Sequence, residues 1–161
     1  MKRPREAKTP DQKARHTAKW ARTMTKWLVT YSGGRTGAQW RVEAFEGRTG
    51  AESRGVVDLV AIRKDHRNEA RAAKLGLKRG DLFEIVLIQT KGGSASRPTA
   101  EDRDRLLKVK RYYRAEAAIL AVWRRGKELS LFKLSDRGTN WGEPVSPDEV
   151  FGRSRLRGTS T

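Results

Sequence analysis

Phe83-Glu84-Ile85-Val86-Leu87-Ile88-Gln89-Thr90-Lys91 is the most apolar stretch of the chain, and its reading decides the fold. Its length and β-branched content mark a strand, and its nearly unbroken apolar run marks one covered on both faces. Upstream, Gly55-Val56-Val57-Asp58-Leu59-Val60-Ala61-Ile62 reads the same way. Downstream, Ala117-Ala118-Ile119-Leu120-Ala121-Val122-Trp123 is a third buried strand. Residues 129–134 (LSLFKL) then return across Arg124–Glu128 as a hairpin partner. Between the second and third strands, Thr99-Ala100-Glu101-Asp102 is a capping-box-like helix start, with Thr99 as N-cap. Leu106, Val109 and Tyr113 supply that helix with an apolar face. Such a sequence predicts an α/β fold with a mixed central sheet flanked by helices.

Working outward, residues 12–31 form a helix. Trp20, Met24, Trp27, Leu28 and Tyr31 fall on one stripe, and Gly33-Gly34 closes it. The stripe is expected to be buried, with Trp20, Trp27 and Trp40 in the core rather than serving as base-stacking platforms. Residues 40–45 are a short strand or a helical turn, and 46–54 a polar loop. Residues 63–82 are a charged insertion carrying a short helix (66–75) and a turn at 78–81. Residues 1–11 and 135–161 read as loosely ordered basic ends, leaving 12–134 as a single domain.

The chain of 161 residues carries 36 Lys and Arg against 19 Asp and Glu, a formal charge of +17. Residues 1–41 hold eleven of the basic residues against Glu6 and Asp11, a net +9. A polyanion is the partner this charge suits. Lys19, Arg22 and Lys26, outward from the aromatic stripe, and Arg54 and Arg97 from loops are the candidate nucleic-acid contacts. No cysteine is present, which excludes disulfide scaffolds and thiolate metal sites, and two histidines exclude a three-His zinc site. There is no membrane-spanning apolar run and no secretory signal, so a cytoplasmic protein is expected. Neither a P-loop nor a G-x-G-x-x-G motif occurs, and no motif supports Ser/His/Asp chemistry.

Three polar residues interrupt the apolar strands. Asp58 sits within its run, and an ionised carboxylate there needs a partner or a cation. Gln89 and Lys91 end the next strand two residues apart, on one face. Asp58 and the Gln89 carbonyl oxygen together suit a hard divalent cation, which takes oxygen ligands. Lys91 would position the attacking water or offset charge developing on a phosphate. Gly92-Gly93-Ser94, leading to a helix start, adds backbone N–H groups that suit phosphate.

This pattern resembles the PD-(D/E)xK nuclease superfamily, the restriction-endonuclease-like fold that includes archaeal Holliday junction resolvases and Mrr-type restriction enzymes. The resemblance covers residues 40–134. It implies a core of helix, three strands, helix and strand, and hydrolysis of DNA phosphodiesters with Mg²⁺ or Mn²⁺. It places Asp58 at the family's Asp, Gln89 at its (D/E) and Lys91 at its Lys. Cutting both strands of a duplex calls for two sites, and so points to a homodimer. Three departures stand out. Gln89 is neutral where the family has an acid, a variant resembling the Mrr type that also fits a weakened or inactive nucleic-acid-binding module. The insertion at 63–82 is long. The first helix also lacks the Glu that members often carry there. Glu43, Glu46 and Glu52 are candidates for that acid; Glu43 is favoured, on the expectation that Phe45 pairs with Gly55 and sets Glu43 opposite Val57. A third reading gives the charge to protein partners or a ribosome-like assembly.

Overall fold

The computed structural model describes residues 9–32, 39–45 and 55–152. Ten elements follow one another: α1 (Pro10–Ser32), β1 (Arg41–Ala44), β2 (Leu59–Lys64), α2 (Glu69–Lys74), β3 (Phe83–Gly92), α3 (Ala100–Tyr112), β4 (Ala117–Trp123), β5 (Ser130–Leu134), β6 (Trp141–Val145) and α4 (Pro147–Phe151). The strands make one six-stranded sheet in the order β1-β2-β3-β4-β5-β6. Only β3 and β4 run parallel, because α3 supplies the crossover between them; all other neighbours are antiparallel. The sheet is therefore mixed, as the strand pattern predicts.

Two apolar layers cover it. On one face α1 and α4 bury Val29 and Phe151 against Leu59, Ala61, Val86, Ile88, Ile119 and Leu131. On the other, Leu106 and Leu107 of α3 pack on Leu87, Ala118, Leu120, Phe132 and Leu134. Burial on both sides explains why β3 and β4 read as continuous apolar runs rather than alternating ones. The predicted cap of α3 is present: Thr99 Oγ1 accepts the Asp102 N–H at 3.1 Å and Asp102 Oδ2 accepts the Thr99 N–H at 3.2 Å. Thr9 and Gln12 form the equivalent reciprocal pair at the head of α1, with Pro10 next to Thr9.

Four expectations are corrected. First, the aromatic stripe of α1 is not its buried face. Ala21, Arg22, Thr25 and Val29 are buried instead, while Trp20, Trp27 and Tyr31 stay 43%, 65% and 70% exposed. The reason is close approach. A Cβ on Gly92 of β3 would lie 2.7 Å from the Thr17 carbonyl oxygen, so the helix backbone nearly touches the strand there and an indole would not fit between. Trp40, by contrast, is a core residue. Second, the strand predicted at 55–62 begins only at Leu59, so Asp58 precedes it. Third, Arg63 and Lys64 extend β2 rather than opening the insertion, whose helix is shortened to α2.

Fourth, the chain past Ser135 is structured as far as Gly152. Gly138, at φ +72°, turns β5 into β6, and a Cβ there would meet Leu107 Cδ2 at 2.7 Å. The Ser146 hydroxyl caps α4, whose Phe151 is fully buried and meets the Trp40 ring edge-on at 5.6 Å. The Trp40 indole N–H donates to the Phe151 carbonyl at 2.8 Å. Composition missed this because Gly, Pro and Ser here build a turn and a helix cap, the ordered uses of those residues.

A buried ion cluster fastens the same corner. Arg63 Nε donates to Glu84 Oε2 at 2.5 Å, and Arg67 also pairs with Glu84. Two further Arg63 N–H groups reach the Phe151 and Gly152 carbonyls, each at 3.3 Å, and its guanidinium lies 4.3 Å from the Trp40 ring centre. Burial pulls the Arg63 pKa below its ordinary value, opposed by the Asp65 charge.

Candidate active-site cleft

The chemistry-bearing residues gather where β2 and β3 part. The regular ladder runs from Lys64↔Phe83 to Leu59↔Ile88. One residue further, the Asp58 N–H donates to the Ile88 carbonyl at 2.9 Å, and its carboxylate turns inward. Asp58 Oδ2 accepts the Thr90 backbone N–H at 2.6 Å and the Thr90 hydroxyl at 3.1 Å. The side chain replaces a strand carbonyl, and Asp58 is thereby tied to both neighbours of Gln89. Its burial is met by these donors.

Gln89 is 6% exposed, and its Oε1 is sealed from solvent with no hydrogen-bond partner among the described residues. A buried amide oxygen left unpaired costs about 1–3 kcal/mol. It is an acceptor in need of a donor or a cation, which is what an oxygen ligand for a hard divalent ion requires. Lys91, half-buried, follows two residues on, at the mouth of a cleft between the first half of α1 and the end of β3. Thr90, Lys91, Gly92, Gly93 and Ser94 form one wall, and Lys13, Thr17 and Arg22 the other. No acidic side chain is among its described lining residues, so the cleft is electropositive.

Arg22, expected to face outward from the aromatic stripe, is 7% exposed and lines this cleft. Lys19 and Lys26 remain exposed, as predicted. Arg97 is exposed too, with its guanidinium stacked 4.6 Å from the Phe132 ring centre. Arg54, Glu46 and Glu52 lie outside the described residues. Glu43 is exposed on the edge strand opposite Val60, not Val57, because Ala44 pairs with Leu59 and the Phe45 N–H donates to the Asp58 carbonyl at 3.0 Å. Among the described residues no group of three His, Cys, Asp or Glu side chains comes together. Nor is any described helix long and apolar enough to cross a membrane.

Sequence reasoning missed Thr90 and the inward turn of Arg22. The signal for the second was available: Ala14, Ala18, Ala21, Thr25 and Val29 form a small-residue stripe, which marks a helix face that packs closely. No known family model, curated protein or solved structure matches the chain.

Proposed function

We propose that the protein is a metal-dependent nuclease that hydrolyses DNA phosphodiester bonds, with branched or recombination and repair intermediates as substrates. The observation that carries this reading is the unpaired, buried Gln89 Oε1 between Ile88 and Thr90, both of which hydrogen-bond to Asp58. The next residues of that strand, Thr90 and Lys91, line an electropositive cleft; Asp58 and Gln89 themselves are not among that cleft's lining residues. The element order supports a restriction-endonuclease-like fold: α1, three antiparallel strands, α3, then β4 parallel to β3, with α2 inserted.

Asp58 and the Gln89 amide oxygen would be the oxygen ligands for Mg²⁺ or Mn²⁺, which when bound would polarise a phosphate and acidify a water. Thr90 fixes the Asp58 carboxylate through two hydrogen bonds, which keeps the ligand ordered before substrate arrives. Lys91 donates to the water or to a non-bridging phosphate oxygen. Lys13 and Arg22 hold the flanking phosphates, with the wider excess of +17 adding salt-sensitive affinity. A homodimer acting in the cytoplasm would supply two such sites for a duplex.

A second reading keeps the fold and the DNA but not the chemistry. Gln89 itself favours it, since a neutral amide leaves the ligand set one charge short. Cleavage of supercoiled plasmid and of branched DNA, with and without Mg²⁺ or Mn²⁺, separates the two. The nuclease reading expects metal-dependent cutting by the wild type and a loss of about 10²-fold in Lys91→Met. DNA binding with no cutting in either metal would leave the binding module.

A further inference from the structure

The stripe of α1 that fails to enter the core makes a second groove beside the cleft. Trp20 stacks on Trp123 at the end of β4, with ring centres 6.4 Å apart and planes inclined by 24°. The Trp20 indole N–H donates to His16 Nε2 at 3.1 Å, which fixes the orientation of the ring. Met24 completes the apolar floor, and Lys13 and Arg125 stand at the rim. Lys13 and Thr17 line this groove and the cleft alike. Across the sheet, Lys91 pairs with Val122 and Gly92 with Trp123, so the aromatic pair is one strand, about 5 Å, from the end of the cleft.

From this juxtaposition we propose that the Trp20–Trp123 pair is a stacking platform for an unpaired nucleobase, so that the chain engages single-stranded or frayed nucleic acid. An unpaired nucleotide offers the flat face of its base to the indoles and the backbone phosphates on either side of it to the rim cations, whereas a base inside a duplex has no face to offer. Charge selects this occupant over a second copy of the chain. Lys13 of α1 and Arg125 of the β4–β5 turn, with exposed Lys19 and Lys26 also on α1, would face their own like charges across a two-fold interface. The inference rests on the neighbouring cleft being a phosphate track, but it does not need hydrolysis there.

The test is fluorescence anisotropy with the full chain in EDTA. The probes are a short labelled oligodeoxythymidine and a mixed-sequence duplex of equal length. Trp20 is exposed, so Trp20→Ala is expected to fold, checked by its melting temperature. It should weaken oligodeoxythymidine binding about ten-fold or more, with duplex affinity and the salt slope kept, and Trp20→Phe should restore most of the loss. Unchanged oligodeoxythymidine binding, or equal loss on both probes, overturns the platform while leaving the phosphate track. Absence of binding to either probe overturns both. Sedimentation showing a wild-type dimer that Trp20→Ala splits would give the face to a second copy and overturn the proposal.

Discussion

Asp58→Asn should lower metal-dependent DNA cleavage by about 10²–10³-fold while leaving the fold intact. The asparagine side-chain oxygen still accepts the Thr90 N–H that Asp58 Oδ2 takes at 2.6 Å, so the parting of β2 from β3 survives. What goes is the negative charge, the one formal anion in the Asp58–Gln89 ligand pair. Asp58→Ala removes both, and its loss of activity should come with about 1–3 kcal/mol of instability from the orphaned Thr90 N–H. The pair of variants thus separates the carboxylate's chemistry from its structural duty. Unaltered cleavage by Asp58→Asn, read as initial rates on plasmid with matched melting temperatures, would remove Asp58 from the site.

The largest effect on stability belongs to Glu84. It is the only anion paired with buried Arg63 among the described residues, and it also pairs with Arg67. Glu84→Gln removes the ion-pair partner of Arg63 in a site closed by Trp40, Phe151 and the end of α4, and leaves only the more distant Asp65 charge to offset it. Breaking such a pair from one side costs about 3–5 kcal/mol. For a domain of this size the melting temperature should fall on the order of 10–20 °C. The double variant Glu84→Leu with Arg63→Met should be less unstable than the two single losses summed, since neither charge is then left alone. A Glu84→Gln protein melting within a few degrees of wild type would show that the cluster adds nothing to stability.

The sheet was legible because three of its strands are apolar on both faces, a pattern that survives without knowledge of tertiary contacts. The Thr99 cap was legible for a related reason: Thr99 and Asp102 satisfy each other locally. Burial of α1 was not legible from hydrophobicity. The close approach of Gly92 to Thr17 leaves no room for an indole at that point, and the helix docks through Ala21, Arg22, Thr25 and Val29 while Trp20, Trp27 and Tyr31 stay outside. Hydropathy ranks those aromatics as core, yet steric fit decides which face can dock. Asp58, Gln89 and Lys91 could be picked out as polar residues interrupting or ending apolar strands. The inward turn of Asp58 onto Thr90, by contrast, depends on where the ladder opens, and sequence period says nothing of that. Glu43 was placed three residues out of register because a short edge strand has little to fix its pairing besides the loop before its partner. The corner built from Arg63, Glu84, Trp40 and Phe151 joins residues up to 111 positions apart and leaves no local trace.

At the centre of the account is a divalent cation seated by Asp58 and Gln89, and a Mn²⁺ titration followed by electron paramagnetic resonance tests it most directly. Wild-type protein should take up the ion at a site that Asp58→Asn and Gln89→Leu each weaken by about 10-fold or more, with Lys91→Met unaffected. Identical uptake by wild type and Asp58→Asn, or none by the wild type with DNA present, would contradict it.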